Sequence, residues 1–152
     1  MEARMHHPAM TLPDAMPALQ AVGAAVGQSG LPARTIQLVN VRASQINGCS
    51  VCIEGDARQA RKDGETDERL LVLSGWRDTP YFSDAERAAL ALTEAVTRLS
   101  DRNDPVPDDV WADAAVHYDE KALAGLVLAI ANINLWNRLN VATRQQAGVY
   151  EW

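Results

Sequence analysis

The chain lacks three things that would each have pointed to a different kind of protein. No stretch alternates apolar and polar residues in the manner of a half-buried strand, which leaves helix as the regular structure available. No run approaches the roughly 18 apolar residues of a membrane span, and no apolar stretch follows Met1–Ala9 to make a signal-peptide core. Positive charge is also short. Fourteen Lys and Arg against 20 Asp and Glu leave a net charge of −6, which excludes a general surface for nucleic acid or anionic lipid.

What remains is 152 residues with 47% hydrophobic and 22% charged content, enough for one domain with a sizeable core. There is no internal repeat and no composition typical of disorder. These properties describe a single cytoplasmic all-α domain over residues 1–152, without nucleic-acid or membrane partners. Residues 1–12 read as a flexible N-terminal arm, with His6 and His7 as solvated tail residues rather than a metal site.

Seven helical segments follow. The first runs from about Pro13-Asp14 to Gly27–Gly30. Pro32 opens a second that carries Ile36, Val39, Ala43 and Ile46 and is interrupted at Asn47-Gly48. A third holds Cys52 and runs to about Arg61, and a fourth, capped by Asp67, ends at Gly75. Ser83-Asp84-Ala85-Glu86 is a capping box opening a strong fifth helix. The sixth starts at Pro107 and reaches about His117. The last, capped by Asp119, is apolar nearly all round between Ala122 and Trp136, so it belongs at the centre or in a subunit interface. Its Asn132 and Asn134 need hydrogen-bond partners if buried.

Both cysteines lie in Asn47-Gly48-Cys49-Ser50-Val51-Cys52, spaced C-x-x-C at a helix start. Unpaired N–H groups and the helix dipole favour a thiolate there. Spacing alone is compatible with a redox dithiol, half of a metal site, or two inert buried cysteines. A reducing compartment disfavours a purely structural disulfide and shifts the reading towards chemistry. A structural zinc site would want four ligands where two thiols are in hand.

The run Arg42-Ala43-Ser44-Gln45-Ile46-Asn47-Gly48-Cys49-Ser50-Val51-Cys52 is followed by Gly64-Glu65-Thr66, Leu73-Ser74-Gly75-Trp76-Arg77 and Phe82-Ser83-Asp84-Ala85-Glu86-Arg87. With Asn134-Leu135-Trp136-Asn137-Arg138, this joint pattern resembles the alkylhydroperoxidase D-like (AhpD-like) branch of the carboxymuconolactone decarboxylase family over about residues 15–147. The resemblance implies an all-helical homo-oligomer, trimer or hexamer, with the cysteine pair in a partly enclosed pocket. It also implies an antioxidant peroxidase or disulfide oxidoreductase that needs no bound cofactor. Cys52 would attack a hydroperoxide or disulfide substrate, Cys49 would resolve the sulfenic acid, and a thiol or lipoyl-bearing protein would restore the dithiol. Lactone decarboxylation, performed by family members without the C-x-x-C, ranks below this.

One departure stands out. The family pattern carries a Glu twelve residues before the first cysteine and a His four after the second, which relay protons. Here these are Gln37 and Asp56. Position 56 shares a helix face with Cys52, one turn on. An ionised Asp56 would raise the thiol pKa and offset a helix-terminus benefit of at most about 2 kcal/mol, roughly 1.5 pKa units. Gln37 carries no proton but can hydrogen-bond Asp56 or Cys52. Slow turnover follows, unless burial makes Asp56 protonatable. The competing reading is a catalytically weak or silent oligomeric scaffold or small-molecule binding protein of the same fold. Trp76 and Trp136 either wall the pocket or pack in the core.

Overall fold

The structure, a computed structural model, describes residues 2–149. Eight α-helices appear among them: α1 (Pro8–Thr11), α2 (Ala15–Gly27), α3 (Ala33–Asn47), α4 (Ser50–Lys62), α5 (Asp67–Val72), α6 (Asp84–Thr97), α7 (Asp108–His117) and α8 (Glu120–Thr143). A 3-10 segment, Leu73–Asp78, continues α5, and a short one, Leu99–Asp101, follows α6. No strand occurs among the described residues.

Local signals set most of these boundaries. Ser83 accepts from the Glu86 N–H while the Glu86 carboxylate accepts from the Ser83 N–H, completing the capping box of α6. Asp119 caps α8 by accepting from Ala122. The fourth predicted helix is capped one residue early, because the Thr66 hydroxyl accepts from Arg69 N–H and leaves Asp67 in the first turn, where a carboxylate suits the dipole.

The eighth helix is α1, within the expected flexible arm. That segment packs instead of lying free. The Arg4 N–H donates to the Thr143 carbonyl at 2.9 Å, its guanidinium to the Ala142 carbonyl at 3.0 Å, and Gln145 Nε2 to the Met5 carbonyl at 3.1 Å. The end of α8 therefore holds the arm down through backbone carbonyls, a partner set that side-chain patterning does not reveal.

Helix α8 organises the rest, packed by α2, α3 and α6 and touched by α4 and α7. By length and composition it could cross a membrane, but half of its apolar stretch is buried inside the protein. Leu126 and Ile130 are fully buried there against Val39 of α3 and Leu92 of α6; burying such side chains contributes about 1.5–3 kcal/mol each. Gly125 lets the connection after α2 come close: a Cβ at that position would lie 2.1 Å from Ser29 Oγ. The opposite face leaves Ala124, Leu128, Ala131 and Leu135 exposed at alternating spacings of four and three. The helix is thus central on one side and an uncovered apolar stripe on the other.

A second core cluster joins α3, α6 and the 3-10 segment through Leu38, Val41, Leu73, Trp76, Phe82 and Leu90. Beside it Glu94 accepts from Arg42 Nε at 2.8 Å, Trp76 Nε1 at 2.9 Å and Arg77 at 2.7 Å. Trp76 is therefore a core residue with its indole N–H satisfied.

Candidate active site

The cysteine pair is placed by the junction between α3 and α4. Gly48 ends α3 at φ 69°, a left-handed conformation that favours glycine, and turns the chain so that Cys49 becomes the N-cap of α4. The Cys49 sulfur accepts from the Cys52 N–H at 3.4 Å. The two Cα atoms are 5.4 Å apart and the sulfurs close a disulfide.

A set of amides fixes this junction against α8. Asn47 Nδ2 donates to Asn134 Oδ1 at 2.9 Å and Asn137 Oδ1 at 2.8 Å. Asn137 Nδ2 donates to Ser44 Oγ at 2.9 Å, and Asn134 Nδ2 to Thr97 Oγ1 at 3.1 Å. The polar residues of an otherwise apolar helix are spent on holding the dithiol turn, which accounts for Asn134. Asn132 is different, since its Oδ1 is buried without a partner and the residue lines the adjoining cavity.

That cavity has a volume of about 540 Å³ and lies between α1, α2, α3, α4 and α8. Cys52 lines it and Cys49 does not; Cys49 is 1% exposed and Cys52 8%. Val51, Ile133 and Trp136 supply apolar wall, Met10 and Met16 lie towards the arm, and no lysine or arginine lines the cavity. Asn140 Nδ2 donates to Cys52 Sγ at 3.3 Å. A donor aimed at the sulfur favours its anionic form.

Asp56 does share the cavity with Cys52, as its spacing predicts. The residue is partly exposed but its carboxyl is packed among protein atoms, and desolvation raises it from the ordinary carboxylate range to about 6, partly opposed by a hydrogen bond from Asn40 Nδ2 at 3.2 Å. Gln37 takes neither of its expected partners. Its amide nitrogen donates to Asp63 at the far end of α4, and it is not part of the cavity wall. Asn40, one turn further along α3, stands beside Asp56 instead. An α-helix puts residues three apart on adjoining parts of one face, so a position counted from the cysteines can miss the contacting residue by one turn.

His7 was not expected in the site. It is buried in the cavity wall, stacked on Trp136 with ring centroids 5.7 Å apart. Its Nδ1 accepts from the Ala9 N–H at 3.1 Å and so caps α1. Burial lowers its pKa. The only sequence signal was the His6-His7 pair itself.

Other polar side chains near the cysteines in sequence lie outside the cavity: Glu54 pairs with Arg58 at 2.7 Å and accepts from the Gly148 N–H, and Gln45 accepts from Arg42. No group of three or more His, Cys, Asp or Glu side chains suited to a metal ion converges among the described residues.

Known proteins share both the sequence pattern and the architecture. The sequence profile of the carboxymuconolactone decarboxylase family matches residues 13–95. The uncharacterized protein YdfG of Bacillus subtilis is 39% identical over 120 residues, 79% of this chain and 80% of its own length. The crystal structure of a protein of unknown function from Agrobacterium tumefaciens, a candidate antioxidant defence protein AhpD, superposes with a TM-score of 0.89 at 34% identity, over 98% of this chain and all of that one. The debrominase Bmp8 shares the fold, with a TM-score of 0.81 at 20% identity over 93% of this chain and 75% of its own.

Proposed function

The chain belongs to the carboxymuconolactone decarboxylase family, and from that premise we propose that it is an AhpD-like dithiol oxidoreductase that reduces hydroperoxides through Cys52 and Cys49. The observation that carries this reading is the asymmetry of the pair. Cys52 faces a cavity large enough for a small organic molecule and receives a hydrogen bond from Asn140, while Cys49 sits behind it within disulfide distance.

In this reading the Cys52 thiolate attacks the terminal oxygen of a hydroperoxide and the O–O bond breaks. The alkoxide leaves as an alcohol with the proton the thiol has lost, and Cys52 becomes a sulfenic acid. The Cys49 thiol then displaces its hydroxyl as water, closing the disulfide. An external dithiol, a small thiol or a lipoyl-bearing protein, returns two electrons and two protons. Two relay positions are altered. Asp56, raised to about 6, is ionised at neutral pH yet within reach of protonation, and Gln37 is bonded away. Turnover is therefore slow. The enzyme works in the cytoplasm as a homo-oligomer, a trimer or hexamer, which would cover the exposed stripe of α8.

The test is anaerobic. Fully reduced protein is given one equivalent of cumene hydroperoxide and its thiols are titrated. Two thiols should disappear together with formation of a Cys49–Cys52 disulfide, and Cys49→Ser should accumulate a sulfenic acid at Cys52 that dimedone traps. Persistence of both thiols for hours, or equal rates in wild type and Cys52→Ser, would establish the silent scaffold instead.

A further inference from the structure

We propose that the cavity at Cys52 admits uncharged organic molecules and turns away anions, and that the Asp56 carboxylate is the residue that sets this selectivity. The inference rests on the reading of Cys52 as the reacting thiol, and it narrows the substrates to neutral organic hydroperoxides, with carboxylate-bearing ones excluded. It follows from the balance of charge around one cavity.

Asp56 lines the cavity and no lysine or arginine does. Other carboxylates withdrawn from solvent are neutralised: Glu65 and Glu86 both meet Arg69, and Glu94 meets Arg42 and Arg77. Among the described residues Asp56 has only the neutral Asn40 amide. The helices on the side of the arm add nothing positive, since α1 and α2 contain no charged side chain. Of the cations nearby, Arg4 donates to the Ala142 carbonyl and Arg58 pairs with Glu54, both outside the cavity wall. His7 is in the wall, but burial lowers its pKa and leaves the imidazole neutral at pH 7. The remaining positive contribution is the N-terminus of α4, worth about half an elementary charge. A full carboxylate charge on the same helix outweighs it.

Two effects then act against an anionic ligand. It gives up water for a wall in which Met16, Val51, Ile133 and Trp136 are prominent and no cation replaces the lost solvation. It also enters a site that already holds a negative charge, where low dielectric strengthens the repulsion. A neutral molecule meets neither effect, and a volume of about 540 Å³ accommodates one of aryl hydroperoxide size.

The experiment measures binding first, without turnover. The full-length protein in its disulfide form is titrated at pH 7.5, by ligand-observed NMR, with the para-carbamoyl and para-carboxyl derivatives of cumyl alcohol. These have nearly one shape, differ in charge, and are the alcohol products of the matching hydroperoxides. The carbamoyl compound should bind at least about tenfold more tightly. Asp56→Asn should shrink that ratio to about threefold or less. Gln20→Lys, which places a cation in the wall from an exposed position of α2, should bring the carboxylate to equal or tighter binding. Equal affinities in wild type, no binding of the carbamoyl compound, or a wild-type ratio in either variant overturns the proposal. The two hydroperoxides are then given to the reduced protein, where oxidation rates should follow the same order. Thiols that persist with both hydroperoxides, beside an intact binding ratio, would refute only the peroxidase reading.

Discussion

Asn140 Nδ2 donates to Cys52 Sγ across 3.3 Å, from the last turns of α8 to the first turn of α4. A hydrogen bond to a charged group contributes about 1.5–3 kcal/mol. Asn140→Leu should therefore raise the Cys52 thiol pKa by about one unit and slow its oxidation at pH 7 roughly tenfold, while Cys49 is unaffected. Stopped-flow oxidation of the reduced protein measures it. An unchanged rate would mean that the helix terminus alone sets the thiolate.

Gly125 of α8 lies directly against Ser29 of the segment that joins α2 to α3. The Ser29 hydroxyl is itself committed, donating to Val26 O at 2.7 Å and accepting from Leu31 N–H at 3.2 Å, so it cannot move aside cheaply. With a Cβ at position 125 only 2.3 Å from the Ser29 Cβ, Gly125→Ala should destabilise by about 2–4 kcal/mol, as overpacked interiors do. Adding Ser29→Gly should recover a substantial part, because it removes both atoms that clash. Urea titrations of the single and double variants decide this, and no recovery would place the strain elsewhere.

Local chemistry made the helices legible, and non-local contacts made the site only partly so. Ser83-x-x-Glu86, Asp119, Pro32 and Gly48 each act within a few residues of themselves, and their helices begin and end close to where they predict. The Asp56 contact with the Cys52 cavity is also local, one turn along α4. Asn140 and His7 are not: they lie 88 positions after and 45 before Cys52 in sequence, and only the packing of α8 and the ties on the arm bring them together. Gln37 shows a further limit. A position matched by counting along α3 still depends on which side chain the helix rotation presents, and here it presents Asn40.

Glu94 supplies a pH signature of the fold itself. Burial alone would raise its carboxyl, but hydrogen bonds from Trp76, Arg77 and Arg42 outweigh it and hold the group below the usual range. A depressed folded-state pKa means stability present above the unfolded value and lost as pH falls through the folded one. Glu94→Gln should thus cost stability at pH 7, by about 1–2 kcal/mol for a charge removed from the mostly buried Arg42 and the solvent-screened Arg77, and less near pH 3. Thermal melts at both pH values test the sign; an equal loss at each would show that shape, not charge, is what Glu94 contributes.

Asp56 carries the opposite sign. Its folded pKa of about 6 lies above the ordinary 3.8, so its contribution to stability is full below pH 3.8 and is lost as pH rises to 6, levelling off beyond. The difference of roughly two units corresponds to about 3 kcal/mol at most. Asp56→Asn keeps an oxygen for Asn40 and removes the charge, so it should raise stability at pH 7.5 by about 1–3 kcal/mol and leave pH 4 unchanged. The same substitution should lower the Cys52 ionisation midpoint, because above pH 6 the carboxylate opposes a second negative charge in an enclosed site. Denaturant titrations at the two pH values give the first effect and Cys52 alkylation rates the second. Equal stabilisation at both pH values would refute a desolvated Asp56, and an unmoved midpoint would show that its charge does not reach the sulfur. If both effects appear, the native Asp56 trades stability and thiolate for a carboxyl that can take up a proton near pH 6, which is what a group handling the proton of Cys52 requires.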